Sequence, residues 1–345
     1  MPSEKDQHCL AVATGRQISR RQSPIEKTSG FTLIELLLAM SVLALMAVMM
    51  LSVTSSAQKI AKQTTSRTEQ FRQGRRAFER INQRLSQATL NTYWDYVDNQ
   101  GKPRVAGNAT FTPNKYFRIS ELRYLQTNTS SLTAPSGGTM VGNSVFFQAP
   151  LGKSDTTSLA GLNSLLNTVG FFIEKGSDST LRPPTVAASK TRYRLFELTE
   201  PSENLTIYSL TSGNSTTASS AWFTTPLAVP GNSQRLADNI VALLFQAQYK
   251  DASGTPTAAF NYSSAPRGAA TQPIEENNLP PNVRVIMIAL DEPSARRVAD
   301  GGITLTDATD ETSLESLEKN LTDNRLNYRK FESTVSIGPA KWSSR

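Results

Sequence analysis

Histidine and cysteine are almost absent from this chain of 345 residues. The only histidine, His8, and the only cysteine, Cys9, are adjacent within the first 30 residues. If that segment is removed, disulfide bonds, zinc sites built from histidine or cysteine, Ser-His-Asp triads and thiol nucleophiles are excluded together. The fold must then depend on packing, or on metals bound through oxygen. We therefore predict a protein that is not an enzyme, with no catalytic residue, no cofactor and no bound metal.

Charged residues are missing from about two dozen positions near the N-terminus, with one exception. Residues 30–53 are almost unbroken apolar sequence, long enough as a helix to cross a bilayer. The exception is Glu35. A charge at that depth costs roughly 2.5–3.5 kcal/mol on insertion scales, so its carboxylate needs a partner.

Two interpretations of this segment remain open. In the first, the chain is cut after Gly30, and Phe31 becomes a new N-terminus whose ammonium balances the Glu35 carboxylate in the same chain or in a neighbour. In the second, residues 31–53 are an uncleaved signal anchor for an extracytoplasmic binding module or enzyme, and Glu35 has no special role. The first residue of the purified protein distinguishes the two.

The segment from Gly30 to Glu35 resembles the prepilin-peptidase signal of type IV pilins and pseudopilins. It has a small residue before the cut, phenylalanine after it and glutamate at the fifth mature position, with Lys27 preceding it. The resemblance implies cleavage and N-methylation of Phe31 by a prepilin peptidase/N-methyltransferase, followed by assembly with other pilin-like subunits through Glu35. It also implies a single-pass protein of the bacterial inner membrane, with a cytoplasmic N-terminus and a periplasmic head, that is incorporated into a filament.

The order of segments follows from this signal. We predict a basic leader at 1–30, a transmembrane half-helix at 31–53, an extramembrane half-helix at 54–91 and a globular head at 92–345. The second half-helix contains no proline and one glycine. Its apolar residues recur at spacings of three and four and predict a seam packed on the head. The seam residues are Phe71, Gly74, Phe78, Ile81, Leu85 and Ala88.

Arginines repeat every four residues on the side of the helix opposite this seam, at Arg72, Arg76, Arg80 and Arg84. Such a stripe is able to bind phosphates, and some pilins take part in DNA uptake. However, Glu69 and Glu79 interrupt it, and no aromatic side chains interleave for base stacking. We therefore expect a solvated face, or contacts with acidic residues of neighbouring subunits, and neither nucleic acid nor a small-molecule substrate as a partner.

The β-branched and aromatic residues of the head predict strands and turns with few helices. The predicted fold class is therefore α+β with a long N-terminal helix. Strands are predicted at 145–148, 170–174, 193–199, 240–249, 283–290 and 331–337. Helices are predicted at 159–168 and at 312–324, the second opened by a capping box of Thr312 and Glu315. Long surface loops are predicted at 127–143, 211–221 and 251–282.

Three chemical motifs are weak. Gly152-Lys153-Ser154 resembles the end of a phosphate-binding loop, but Phe147 stands where the upstream glycine is required. Asp307 and Glu318 have the spacing of a calcium loop, but Thr312 replaces its central glycine, which leaves calcium binding by the head loops open. The third motif is a group of nearby acids that we expect to be solvated rather than catalytic: Glu197, Glu200 and Glu203.

Beyond the signal, the chain resembles large minor pseudopilins of the type II secretion J class, whose late strand begins like Pro280–Val285. It is most similar to the Verru_Chthon cassette protein C group, a resemblance that covers most of the mature chain. The shared stretches are 88–96, 146–152, 162–168 and 340–342. This resemblance implies the same helix and a large strand-rich head but no established activity. It does not choose between a pilus and a secretion pseudopilus.

Overall fold

The computed structural model describes residues 30–90, 92–97, 115–120, 123–129, 132–159, 161–179, 189–205, 220–229, 231–265, 274–275 and 278–340. For two of these strands, at 92–97 and 115–120, and for Gln63 and Ser66, only the backbone is described. The leader up to residue 29, most of the loop expected at 211–221 and Lys341–Trp342 lie outside the described residues.

Four helices and twelve strands are present in the described part of the chain. The helices are α1 (Leu33–Ser86), α2 (Ala221–Ala228), α3 (Glu292–Ala299) and α4 (Glu311–Asp323). The strands are β1 (Thr92–Val97), β2 (Lys115–Ser120), β3 (Tyr124–Asn128), β4 (Thr139–Pro150), β5 (Leu166–Ser177), β6 (Thr191–Thr199), β7 (Ser233–Asp238), β8 (Ile240–Lys250), β9 (Pro256–Ala259), β10 (Tyr262–Ser263), β11 (Asn282–Leu290) and β12 (Tyr328–Ser336). This is an α+β protein with a long N-terminal helix, as predicted.

The chain divides into two compact units, Met1–Ile60 and Ala61–Arg345. In the first unit, the described residues are the beginning of α1 and the three residues before it. The second unit contains the rest of α1 and every described strand. Its six-stranded antiparallel sheet has the order β10-β3-β4-β5-β6-β7, and its four-stranded antiparallel sheet has the order β12-β11-β8-β9.

The main core lies between these two sheets and the second half of α1. The seam predicted from the sequence is confirmed, because Gly74, Phe78, Ile81, Leu85 and Ala88 are buried and Phe71 is partly buried. A Cβ at Gly74 would lie 3.5 Å from both Ala289 and Phe331, so this position allows close packing against the four-stranded sheet. The Phe78 and Phe331 ring centroids are 5.8 Å apart.

A second hydrophobic cluster, the outer cluster, covers the other face of the six-stranded sheet. Helix α2 supplies Trp222, Phe223 and Leu227 to it. Phe146 of β4 stacks on Phe223 with ring centroids 4.4 Å apart, and its ring lies over Gly170 of β5. The sheet is therefore covered by apolar side chains on both faces, which explains the consecutive buried apolar residues at 145–147 in β4 and 171–173 in β5.

The six strands predicted in the head are confirmed, but the helix predicted at 159–168 is wrong. Residues Thr157–Leu159 form a single 3-10 turn, and Leu166 already begins β5. The leucines of this stretch have helical spacing, but Gly161 has a φ of 93°, which ends regular helix. Pairing of Thr168 with Gln148 of β4 then fixes the following residues as strand.

The helix predicted at 312–324 is confirmed as α4, with a different cap. The capping box is formed by Asp310, which accepts the Ser313 N–H at 2.8 Å, and by Ser313, whose Oγ accepts the Asp310 N–H at 2.9 Å. Serine at the third helical position replaces the glutamate that the pattern requires. Loops 127–143 and 251–282 are also shorter than predicted, because β3, β4, β9 and β10 occupy parts of them.

Gly170→Ala tests the packing of the outer cluster. A Cβ at this position would lie 2.6 Å from Cε1 of Phe146 and closer still to Cδ1, so the ring must shift. We expect the free energy of unfolding to fall by about 1–3 kcal/mol, as is usual for overpacking, measured by denaturant unfolding. Gly302→Ala is the matched control, because no atom lies within 4 Å of a Cβ there. Equal stability of the two variants would contradict this packing.

Candidate processing and assembly site

The first turn of α1 holds the glutamate singled out in the sequence. Helix α1 begins at Leu33, so Thr32 is its N-cap and Glu35 its third residue. Glu35 Oε2 accepts the Thr32 N–H at 3.0 Å and the Thr32 hydroxyl at 2.9 Å, while Thr32 Oγ1 accepts the Glu35 N–H at 3.4 Å. This is a reciprocal capping box, in which the side chains satisfy two N–H groups that have no partner within the helix.

The same face of α1 carries an open apolar groove. It is lined by Glu35, Leu38, Ala39, Val42, Leu43 and Met46, which are spaced by three or four residues and therefore share one side of the helix. Every large apolar side chain from Phe31 to Val53 is exposed. Helix α1 is long and apolar enough to cross a membrane, with a mean hydropathy of 2.6 in its most apolar stretch of 18 residues, none of it buried.

Residues 27–51 match the model of the prokaryotic N-terminal methylation motif. The match contains Gly30, Phe31 and Glu35 together with the first part of α1. No curated protein and no solved structure matches the chain. The motif and the exposed apolar helix together indicate a membrane-anchored, single-pass protein with a prepilin-like processing signal, which implies a prepilin peptidase and other pilins as partners.

The arginine stripe does not form one solvated face, so this part of the prediction is wrong, whereas contacts of the stripe with neighbouring subunits stay a prediction. Arg72 and Arg75 pair with glutamates of α1 itself, Arg72 with Glu69 and Arg75 with Glu79. Arg76 is exposed, without an ion pair among the described residues.

Arg80 and Arg84 instead turn toward the six-stranded sheet, where both bind Glu197 of β6. Their Nε atoms lie 2.5 Å and 3.4 Å from its two carboxylate oxygens. Glu197 is 1% exposed, and a buried carboxylate requires a positive partner, so Arg80 and Arg84 pair with it, unlike the other arginines of the stripe.

An ion pair and a hydrogen bond hold α1 at the start of α3, and neither was predicted from the sequence. Arg67 Nε lies 2.8 Å from Oδ2 of Asp291, a fully buried carboxylate whose Oδ1 caps α3 by accepting the Ser294 N–H. Gln70 Nε2 donates to Glu292 at 3.1 Å. The sequence does carry a signal for α3, since Asp291 precedes Pro293 at the second helical position and Glu292 and Arg296 are four residues apart.

Glu292 is the centre of a small polar network. Besides Gln70, it accepts hydrogen bonds from Arg192, Asn239 and Arg296. Burial opposes its ionisation, but these hydrogen bonds and the Arg192 charge lower the pKa of Glu292 below its ordinary value. Glu292 therefore stays ionised at neutral pH and serves as a structural anion.

The acids Glu197, Glu200 and Glu203 do not form one site. Glu197 points toward α1, whereas Glu200 is buried on the opposite face of the sheet. Glu203 is exposed, and its own backbone N–H, the Thr156 hydroxyl, the Asp155 N–H and the Ser154 hydroxyl donate to its carboxylate and lower its pKa to about 2. No carboxylate pair for hydrolysis results from this arrangement.

The two remaining motifs have structural roles. The polar side chains of the loop Gly152-Lys153-Ser154 make intramolecular hydrogen bonds. Lys153 Nζ donates to the Thr199 carbonyl at 2.7 Å, and the Ser154 hydroxyl donates to Glu203. In the segment with calcium-loop spacing, Asp310 caps α4 and Glu318 pairs with Lys330 at 2.8 Å. Among the described residues, no three acidic, histidine or cysteine side chains form a group that could hold a metal ion.

Glu197→Ala tests the contact between α1 and the sheet. Its loss leaves Arg80 and Arg84 without their buried partner, although both arginines reach solvent, which limits the cost. We expect a loss of about 1–3 kcal/mol in the free energy of unfolding, measured with denaturant. Glu79→Ala breaks an exposed pair on the same helix and should cost no more than about 0.5 kcal/mol. Equal effects would show that the Glu197 pairs contribute nothing special.

Proposed function

We propose that this chain is a structural prepilin-like subunit that is cleaved after Gly30 and assembles through α1 into a type IV pilus or a type II secretion-like filament. One observation carries the proposal. A methylation motif coincides with an exposed apolar helix whose first turn holds a single carboxylate in a capping box. No described feature calls for catalysis, so we propose a structural protein rather than an enzyme.

The position of the predicted cleavage bond supports this proposal. Gly30 and Phe31 precede the first residue of α1, and both are exposed. Within the described part of the chain, no atom lies within 4 Å of a Cβ built at Gly30. A peptidase needs its substrate in an extended conformation, and a bond outside regular helix meets that need without unfolding α1. The capping box between Thr32 and Glu35 is retained in the cleaved chain.

The capping box also leaves half of the Glu35 carboxylate for a partner. Both hydrogen bonds from Thr32 go to Oε2, and within the described part of the chain Oε1 accepts none. The ammonium created at Phe31, in the same chain or in a neighbour, would supply the missing positive charge. Because an unpaired charge in lipid is costly, docking beside such an ammonium would favour packing of α1 against sister helices. The apolar groove that begins at Glu35 provides the adjoining contact face.

The finer assignment rests on the resemblance of the head. Pro280 and Pro281 lead directly into β11, which lies between β12 and β8, and this segment resembles the late strand of J-class pseudopilins in sequence. We therefore propose a minor pseudopilin, similar to the Verru_Chthon cassette protein C group, with its head on the extracytoplasmic side of the inner membrane. The second half of α1 buried in this head gives the subunit its proposed pilin-like form.

Processing is tested by intact-mass spectrometry of the protein purified from membranes of cells with and without a prepilin peptidase. We expect the peptidase to yield a chain that begins at Phe31, with or without a methyl group. Gly30→Leu should block cleavage, because a bulky side chain replaces the small residue before the bond. A chain that keeps Met1 and His8 in the presence of active peptidase would instead support an uncleaved membrane anchor.

Assembly is tested with Glu35→Ala in a strain that forms the filament. We expect normal membrane insertion and cleavage but at least a tenfold loss of crosslinks between cysteines introduced into the α1 helices of neighbouring subunits. Thr32→Val is the matched control, since it removes the hydroxyl from the capping box and keeps the carboxylate. Wild-type crosslinking by Glu35→Ala would show that the carboxylate has no role in assembly.

A further inference from the structure

Three polar side chains lie in one row across the outer face of the six-stranded sheet. Gln148 of β4 is the direct partner of Thr168 in β5. The Glu200 N–H, one residue beyond β6, donates to the Thr168 carbonyl at 2.9 Å and extends the row to a third strand. Directly paired residues of antiparallel strands share a face, so these side chains lie side by side beneath the outer cluster.

The row is buried, and its polar groups are incompletely satisfied. Gln148 and Thr168 are fully buried and Glu200 is 2% exposed. Gln148 Oε1 accepts the Arg123 N–H at 2.6 Å, which orients the amide, but within the described structure Gln148 Nε2, Thr168 Oγ1 and Glu200 Oε2 have no aligned hydrogen-bond partner. Buried polar groups without partners are rare in folded proteins and call for an explanation.

Among the described residues, Lys153 and Glu203 lie near Glu200 in the fold but are engaged in other contacts. Lys153, on the loop after β4, donates from its ammonium to the Thr199 carbonyl. Glu203, on the 3-10 turn Ser202–Asn204 after β6, accepts hydrogen bonds from residues 154–156. Arg123 reaches the row through its backbone N–H. Helix α2 carries no charged residue. Burial raises the pKa of Glu200 to about 7, and the nearby Thr168 hydroxyl opposes this shift only in part.

Asn232 connects helix α2 to this row through its side chain and its backbone carbonyl. Asn232 Nδ2 donates to the Pro226 carbonyl in α2 at 3.1 Å, and the Asn232 carbonyl accepts the N–H of Thr199, the residue before Glu200. The neighbouring row of Phe146, Gly170 and Leu198 lies under Phe223 of α2. Movement that admits water to Glu200 would therefore disturb α2 first.

We propose that Glu200 is a proton-binding site that controls how tightly α2 covers the sheet. The sealed row accommodates the uncharged acid, whereas the ionised carboxylate requires water, or reorientation of the Thr168 and Gln148 donors, and loosens α2. Because folding favours the protonated form, this contribution to stability is complete below the ordinary pKa of 4.5 and is lost as the pH rises to about 7. The unfolding equilibrium constant then rises by up to about tenfold per pH unit across that window. This inference does not depend on assembly into a filament.

Trp222 in α2 is a local reporter of this site, because it is 3% exposed within the outer cluster. The full-length chain carrying Trp94→Phe and Trp342→Phe keeps Trp222 as its one tryptophan. In detergent micelles between pH 5 and pH 9, we expect its emission to shift to longer wavelength and its quenching by acrylamide to increase, with a midpoint near pH 7.

Variants at the row identify the group that titrates. Glu200→Gln should remove the transition, which would exclude His8 as its source, whereas Glu203→Gln should leave it unchanged. Thr168→Val should move the midpoint to higher pH, since the hydroxyl holds the pKa of Glu200 down. A transition that persists in Glu200→Gln, or a parent protein without one, would overturn the proposal. If Glu200→Gln does not fold, an unchanged midpoint in Thr168→Val would overturn it equally.

Discussion

Both sheets of the head pack against the second half of α1. Ala77, Phe78, Ile81 and Leu85 belong to one buried cluster with residues of the six-stranded and the four-stranded sheet. The inner face of each sheet is apolar and would be exposed to water if the sheet stood alone. Burial of both faces together with the apolar side of α1 therefore drives the folding of the head. The ion pairs of Arg67, Arg80 and Arg84 with carboxylates of the head lie along the same helix.

Charge acts along α1 in two different ways. Near its start, Glu35 lies among exposed apolar side chains, where Thr32 satisfies one of its oxygens. Along the seam, the buried carboxylates belong to the head, and Arg67, Arg80 and Arg84 extend from the helix to meet them. Arginine suits this second role because its long apolar stem packs at the border of the core while its guanidinium reaches the acid.

Local periodicity was sufficient for the elements that are longest or most apolar. The seam from Phe71 to Leu85 and the helix α4 were predicted correctly because their apolar residues repeat with the helical period, and the strands within β4, β8 and β11 because they are rich in β-branched and aromatic residues. The stretch from Leu159 to Thr168 was wrongly predicted as a helix because its leucines have helical spacing. Gly161 interrupts helix there, and pairing with β4 makes the residues from Leu166 a strand. Helices α2 and α3 were missed because each has only eight residues.

The processing signal, the apolar span and the buried side of α1 could all be predicted, since each depends on residues close together along the chain. The contacts of Arg80 and Arg84 with Glu197, more than 100 residues away, and the buried row of Glu200, Gln148 and Thr168 became visible only in the folded chain. These contacts depend on which strands pair and in what register. A shift of one residue would move each side chain to the opposite face, and no local pattern specifies that alignment.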